Sequence, residues 1–491
     1  MEGNIYFLDG SGYIYYDGTS AYQVTGYVPR HYISKSPGGT SGSKIDELNY
    51  ISSGFKEEFN GDGTSTSYYL TYGSLTTQTP IVLVDNATQT LSAATAGFTV
   101  NYTSAYVNFT TAPSTGTNNV EITAYKPVME ATQIINCTIP ITYGQGNDTN
   151  VYLTGNSSYP ARVYWSDILD PTYFPATSYA DIGVTNDRMM AMIEDGNSLL
   201  LLKRRSIYVQ NGSPPNQTIT EILKGEGCIA TDTVKIVDGY PMFYSQRGIV
   251  QIVPTDQGVR LELISRDIQG GYGTRSGLAS YTESQVADSF SHVFDNMYIW
   301  TNHVAGSTYY IWIYQYLQKH QYNNEIVYPW VKWLLAYSNV GVQCLADKDG
   351  SLYFGGWGNI FKFDKTGYTD AGTAINATWT SKEWLNGSDW IKNYMYQHWD
   401  FRIDSMTGNS GGTVTLKTFV DTNKEPTEAP TASSVITLTP TAETTAASNY
   451  TVTGLKTFIH KKGTTVQYSL SCTGYFVLLG TKIDYLKDRR R

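Results

Sequence analysis

The chain is 491 residues long, carries a formal net charge of −9 and has only 16% charged residues, against the ~25% usual for soluble domains. That balance gives no basic footprint for gripping a nucleic-acid duplex, and the aromatic content excludes a disordered polymer. With 41 Tyr and 45 Gly, and with Thr, Ser and Asn supplying much of the polar surface, a mainly β protein of two to four domains is expected, at ~150 residues per domain.

In chain order, the first unit is a hairpin, Asn4-Ile-Tyr-Phe-Leu8, a turn at Asp9-Gly-Ser-Gly12, then Tyr13-Ile-Tyr-Tyr16. Residues 1–29 are read as the first hairpin of a propeller-like domain. Residues 30–127 interrupt it as an inserted β module with a short helix. Ser43 is placed as the cap of that helix, with Ile45, Leu48, Ile51, Phe55 and Phe59 at near-helical spacing. Strands are expected next at Tyr68–Thr71, Ile81–Val84, Phe98–Tyr102, Tyr106–Thr110 and Val120–Tyr125.

Residues 128–373 are read as the remainder of the propeller-like domain. Its hairpins pair Ser198–Leu202 with Ser206–Val209, Pro241–Tyr244 with Gly248–Ile252, Asn296–Trp300 with Tyr309–Tyr314, and Ser351–Phe354 with Asn359–Phe363. Two apolar or alternating runs around a turn-rich loop are the hairpin signal. Spacings of roughly 40–55 residues after Ser198 fit propeller blades. The first and last hairpins resemble each other, as expected of a ring closed by chain-distant strands, which removes exposed edges. Residues 374–491 form a C-terminal β-sandwich and basic tail, with strands at Thr413–Val420, Ser434–Thr439, Thr457–His460, Thr465–Leu470 and Phe476–Leu479.

Several patterns resemble chemistry. Gly408-Asn-Ser-Gly-Gly412 matches a nucleophile elbow, but a polar stretch precedes it and a strand follows, so a turn is expected. Glu58-Phe-Asn-Gly-Asp-Gly63 imitates the start of a calcium loop, yet Tyr69 stands where a bidentate glutamate is required. Asp167 and Asp170 form an acid pair inside a Ser-Asp-x-x-Asp-Pro turn, where carboxylates cap backbone N–H groups. His31, His292, His303, His320, His398 and His460 lack metal-ligand spacing and are expected to be surface or satisfied structural residues. Cys137, Cys228, Cys344 and Cys472 are expected to be buried free thiols. No catalytic residue, metal or cofactor is expected, and the chain is read as a non-enzyme.

Asn-x-Ser/Thr triplets at Asn86, Asn101, Asn147, Asn216 and Asn449 are assigned to composition, since Met1-Glu-Gly-Asn opens no signal peptide, and no apolar run suits a membrane helix. Two basic clusters are the candidate partner or channel contacts. Lys203, Arg204 and Arg205 sit at a hairpin tip, either solvated, lining a lumen or meeting an acidic neighbour. Lys487, Arg489, Arg490 and Arg491 form a tail for an adjoining protein or DNA phosphate. The many aromatics suit either sugar-stacking platforms or wet protein interfaces.

Asn4–Asp17, Gly26-Tyr-Val-Pro29 with Gly38-Gly-Thr40, Arg162-Val-Tyr-Trp-Ser-Asp-Ile-Leu-Asp-Pro-Thr-Tyr-Phe-Pro175 with Asp181-Ile-Gly183, and Gly225-Glu-Gly-Cys-Ile-Ala-Thr-Asp-Thr233 together resemble blocks of phage tail-hub or nozzle proteins. That family is also described as tail tubular protein B-like or packaged-DNA stabilisation proteins. Phe98–Tyr125 is similar to a small β module of phage virion proteins, and Lys456–Tyr485 to the family's closing sandwich. Unlike the family, Met1 starts almost inside a hairpin, so the first blade is expected to be incomplete or completed by a neighbour. The resemblance implies a virion protein of the tail or neck, made in the host cytoplasm. It would form a homo-oligomeric, hexameric ring beneath the portal and adaptor, continue the exit channel for double-stranded DNA without reading its sequence, and help retain packaged DNA. The alternatives are a carbohydrate-binding tail protein recognising host surface glycans and a glycosidase on the same scaffold.

Overall fold

The computed structural model describes residues 4–8, 10–92, 97–127, 131–144, 149–256, 258–270, 277–302, 310–322, 325–334, 342–356, 358–363, 369–370, 373–381, 384–385, 392–404, 413–421, 434–438, 450–473 and 477–487. Two compact units divide the chain, Met1–Leu263 and Ile264–Arg491. The fold is mainly β: a propeller-like domain of antiparallel meanders, with an inserted β module and a C-terminal β-sandwich.

In the first unit, Ile5–Leu8, Tyr13–Tyr16 and Ala21–Gln23 make a three-stranded first blade. Three four-stranded blades follow the insertion, each with its strands in chain order. The second comprises Ile139–Tyr143, Asn150–Thr154, Arg162–Trp165 and Tyr179–Asp181. The third comprises Met189–Asp195, Ser198–Lys203, Ser206–Asn211 and Thr218–Lys224, and the fourth Lys235–Val237, Tyr240–Ser245, Gly248–Thr255 and Gly258–Leu263.

The run Ser198-Leu-Leu-Leu-Leu-Lys203 shows why these blades read as apolar. Side chains alternate across a strand, so a strand covered on both faces must be apolar at every position. Leu199 and Leu201 pack with Tyr152 and Val163 of the second blade, while Leu200 and Leu202 pack with Phe243 and Val250 of the fourth. Each fully buried leucine is worth about 1.5–3 kcal/mol.

The inserted module is a second β structure. Its six-stranded sheet carries Arg30–Lys35, Gly54–Gly61, Ile81–Val84 and Gly116–Tyr125 among its strands, and a three-stranded sheet holds Ser67–Tyr69, Phe98–Asn101 and Tyr106–Phe109. Phe55, Phe59, Val120 and Ile122 from the first meet Tyr68, Phe98, Val107 and Phe109 from the second in one core. The expected helix is absent: Ser43–Lys44 and Gly54–Gly61 are strands. A spacing of four residues places Phe55 and Phe59 on one face of a helix and equally on one face of a strand. The cross-strand partners in Gly116–Tyr125 settle the choice.

In the second unit, Phe290–Phe294, Met297–Thr301, Tyr310–Gln315 and Trp330–Leu334 form another four-stranded meander. Its residues Ile299, Ile311 and Ile313 share a core with Leu352 and Phe354 of the three-stranded sheet Cys344–Lys348, Ser351–Gly356 and Asn359–Lys362. The C-terminal sandwich pairs two sheets. One is built on Thr465–Thr473 and Val414–Val420, the other on Lys392–Asp404 between Tyr450–Gly463 and Val477–Lys487. Trp399 and Ile459 meet Leu416, Tyr468 and Leu470 between them.

Candidate functional site

The segment Arg162–Pro175 starts on the strand Arg162–Trp165. Arg162 lies directly across from Asp181 in the antiparallel register. Its guanidinium donates to both Asp181 carboxylate oxygens at 2.8 Å and lies 4.0 Å from the ring centre of Tyr179 and 4.6 Å from that of Tyr159. Those hydrogen bonds hold the Asp181 carboxyl below its usual range and raise the arginine further above its own.

Beyond the strand the chain turns at Ser166–Asp170. The buried Ser166 hydroxyl accepts from the Val151 N–H at 3.0 Å, and Asp170 Oδ1 accepts from the Thr172 N–H at 2.8 Å and its hydroxyl at 2.6 Å. Asp170 is therefore the backbone cap expected of this turn. The N–H of Asp167 donates to the Tyr173 carbonyl at 2.8 Å.

The end of the segment is clamped onto residues 27–51, at the border of the inserted module. Asn49, 5% exposed, is the centre of the clamp. Its amide nitrogen donates to the carbonyls of Tyr27 at 2.9 Å and Thr172 at 2.8 Å. Its oxygen accepts from the N–H groups of Phe174 at 3.0 Å and Ile51 at 3.2 Å. Backbone bonds from Tyr27 to Thr172, Tyr50 to Phe174 and Ala176 to Leu48 complete the seam, with the Tyr173 hydroxyl donating to the Glu47 carbonyl at 2.9 Å.

The Asp181-Ile-Gly183 signature has a separate cause. Gly183 has φ +55°, and a Cβ there would lie 2.1 Å from the Tyr208 hydroxyl. Lys203 reaches in from the third blade and donates to the carbonyls of Ile182 and Val184, the second at 2.8 Å. Burial pushes its ammonium pKa down. Lys203 is thus fully buried rather than a contact at an exposed hairpin tip. The last residue of a strand continues the in–out alternation, and here that alternation sends it inward. Arg204 and Arg205 form the turn itself, Arg204 half-buried and Arg205 exposed. Lys487 ends the last strand, opposite Lys392 in register, and Arg489, Arg490 and Arg491 lie outside the described residues.

The other patterns resolve locally. Asp62 accepts from the N–H groups of Thr64 and Ser65 and the Ser65 hydroxyl, which holds its carboxyl below the usual range, so the glycine-rich stretch ends in an Asx turn at Asp62–Ser65, with Asn60 and Gly61 still on the strand. Gly408–Gly412 falls outside the described residues. His31 is buried, its Nδ1 2.7 Å from the Asp46 carbonyl and its Nε2 3.0 Å from the Tyr72 hydroxyl, and burial lowers its pKa. His292 and His398 pair with Asp347 and Asp484 at 3.0 and 2.9 Å. Among the described residues no group of three or more His, Cys, Asp or Glu could hold a metal. Cys137, Cys228 and Cys472 are buried thiols, but Cys344 is exposed, on the strand Cys344–Lys348, whose burial pattern is mostly solvent-facing. No helix among the described residues is long and apolar enough to cross a membrane.

One buried charge pair was not anticipated. Lys35 and Glu57, 1% and 0% exposed, meet at 2.5 Å inside the module, and Lys35 also donates to the Thr71 hydroxyl at 2.9 Å. The available signal was Phe55-x-Glu57-x-Phe59: a carboxylate between two core phenylalanines on one strand face requires a buried cation.

No protein-family model matches the chain, and no curated protein matches it. Among solved structures it resembles exo-beta-1,3-galactanase from Phanerochaete chrysosporium with beta-1,3-galactotriose, at 10% identity and TM-score 0.26, over 70% of this chain and 95% of that one. The expectation of a non-enzyme is corrected by that finding, since the resembled structure is a glycoside hydrolase, and the expectation is withdrawn. At that TM-score the likeness carries no argument for a reaction of this chain.

Proposed function

We propose that the chain is a structural subunit of a phage tail or neck, a homo-oligomeric hub or nozzle ring that continues the DNA exit channel and helps retain packaged DNA. The observation that carries this reading is the role of Arg162–Pro175. The block that most resembles tail-hub proteins clamps the second blade to the inserted module through Asn49, as a joint in a scaffold would. The acidic chain is also suited to a wall that DNA slides past. On this reading Arg205 and the tail residues Lys487, Arg489, Arg490 and Arg491 meet acidic partners or DNA phosphate. Neighbouring copies, the portal-adaptor and other tail proteins are the partners.

Native mass spectrometry of the purified chain, with negative-stain imaging of virion material, tests the proposal. A closed ring of several copies, present in purified particles, is expected. A strictly monomeric chain absent from virions would overturn it.

A further inference from the structure

A cavity of about 270 Å³ opens beside the seam, lined by Tyr50, Ser52, Ser53, Tyr72, Ser74 and Lys126 among others. Its size lies just below the ~300–1,000 Å³ of typical small-molecule sites, room for one ring rather than an extended chain. The walls are pinned. The Lys126 N–H donates to the Ser53 carbonyl at 2.9 Å, that of Ser74 to Thr103 at 3.2 Å, and that of Gly54 to the Ser52 hydroxyl at 3.2 Å. Tyr72 is fixed by its hydroxyl on His31 and by the edge-on ring of Phe55, 5.5 Å away between centres. The site is therefore formed before any ligand arrives, which lowers the cost of binding.

Lys126 is the one charged side chain among the residues lining the cavity, while Glu47, Glu57 and Lys44 act on the Tyr72 phenol from nearby. The Lys126 ammonium lies 5.2 Å from the centre of the Tyr72 ring, and no carboxylate among the described residues pairs with it. The cavity thus offers one compact cation, an aromatic wall and a rim carrying serines. A single lysine matches a monoanion, whereas phosphate is usually gripped by arginine forks or several converging donors. An aromatic wall favours a ligand with an apolar ring face and a polar edge.

We infer that this cavity is a binding site for a carboxylated sugar ring, a uronic acid, with its carboxylate on Lys126 and its ring against Tyr72. This goes beyond the ring-subunit reading and does not depend on it. Isothermal titration calorimetry of the full chain with glucuronate, glucose and inorganic phosphate tests it. Glucuronate is expected to bind about tenfold or more tighter than either comparator, a factor worth about 1.4 kcal/mol. Lys126→Gln is expected to remove that advantage with circular dichroism unchanged, and Lys126→Arg to retain it. Absent glucuronate binding, equal affinity for phosphate or glucose, or unchanged affinity in Lys126→Gln would each overturn the assignment.

Discussion

Asn49 and Thr172 stand 123 positions apart in the chain, yet the Asn49 side-chain amide donates to the Thr172 carbonyl at 2.8 Å. With its bonds to Phe174 on the same far side and to Tyr27 and Ile51 on its own, that one buried amide uses both donors and its oxygen at the seam. Removing it leaves backbone groups there without partners. Asn49→Ala is expected to cost about 2–4 kcal/mol, since each buried group left unsatisfied costs roughly 1–3 kcal/mol. Urea unfolding gives the magnitude, and limited proteolysis should show new cleavage near residues 47–51 or 172–176. Wild-type stability with no new cleavage would deny the seam its role.

Lys203, at the strand end, and Arg205, in the turn after it, should separate sharply. Lys203→Met keeps the apolar stem but deletes the bonds to Ile182 and Val184, an expected loss of about 2–4 kcal/mol for charged hydrogen bonds in a buried site. Arg205→Ala, at an exposed turn position, should stay within ~0.5 kcal/mol. Equal effects in chemical denaturation would return Lys203 to the surface.

Alkaline pH should dismantle the fold through its tyrosines. Burial pushes the phenols of Tyr68, Tyr152, Tyr394 and Tyr468 up to about 12, from an ordinary value of 10.0. A folded pKa above the unfolded one means that the native chain holds the proton longer. The stabilisation is therefore complete below pH 10 and is lost as pH climbs towards 12. Tyrosinate absorbance and circular dichroism, followed together against pH, should show a late group of phenols ionising only as structure is lost. Ionisation of every tyrosine near pH 10 with the fold intact would contradict this.

The hairpins were legible because each carries its own turn chemistry beside apolar runs. Tyr13–Tyr16 was found in this way, as was Ser351–Phe354, which the strand Ser351–Gly356 contains. The strand Lys392–Asp404 was not, because Lys, Asn, Gln, His, Asp and Arg interrupt its aromatics and only the partner strands on both sides reveal it. Around the site, the turn-capping role of Asp170 was readable from the Ser-Asp-x-x-Asp-Pro turn it sits in. Asn49 and Lys203 were not, since their meaning lies in carbonyls of distant or neighbouring segments. A lone Asn or a strand-end Lys looks the same whether it faces water or a seam.

The leucine run of the third blade has a price in fidelity. Where one strand face is polar, a slip of one residue exposes the core and is rejected. Here both faces are leucine, so a slipped strand would bury as much oil as the correct one. Alignment must then be dictated from the bends: Gly196, at φ +61° in the turn before Ser198, the Arg204–Arg205 turn after it, and Lys203, whose ammonium finds its carbonyls in one alignment alone. A residue inserted at Gly196–Asn197 would therefore leave the chain as greasy and as collapsed as before, but mispaired. Such a lesion would show itself as slow, error-prone assembly more than as lost hydrophobicity.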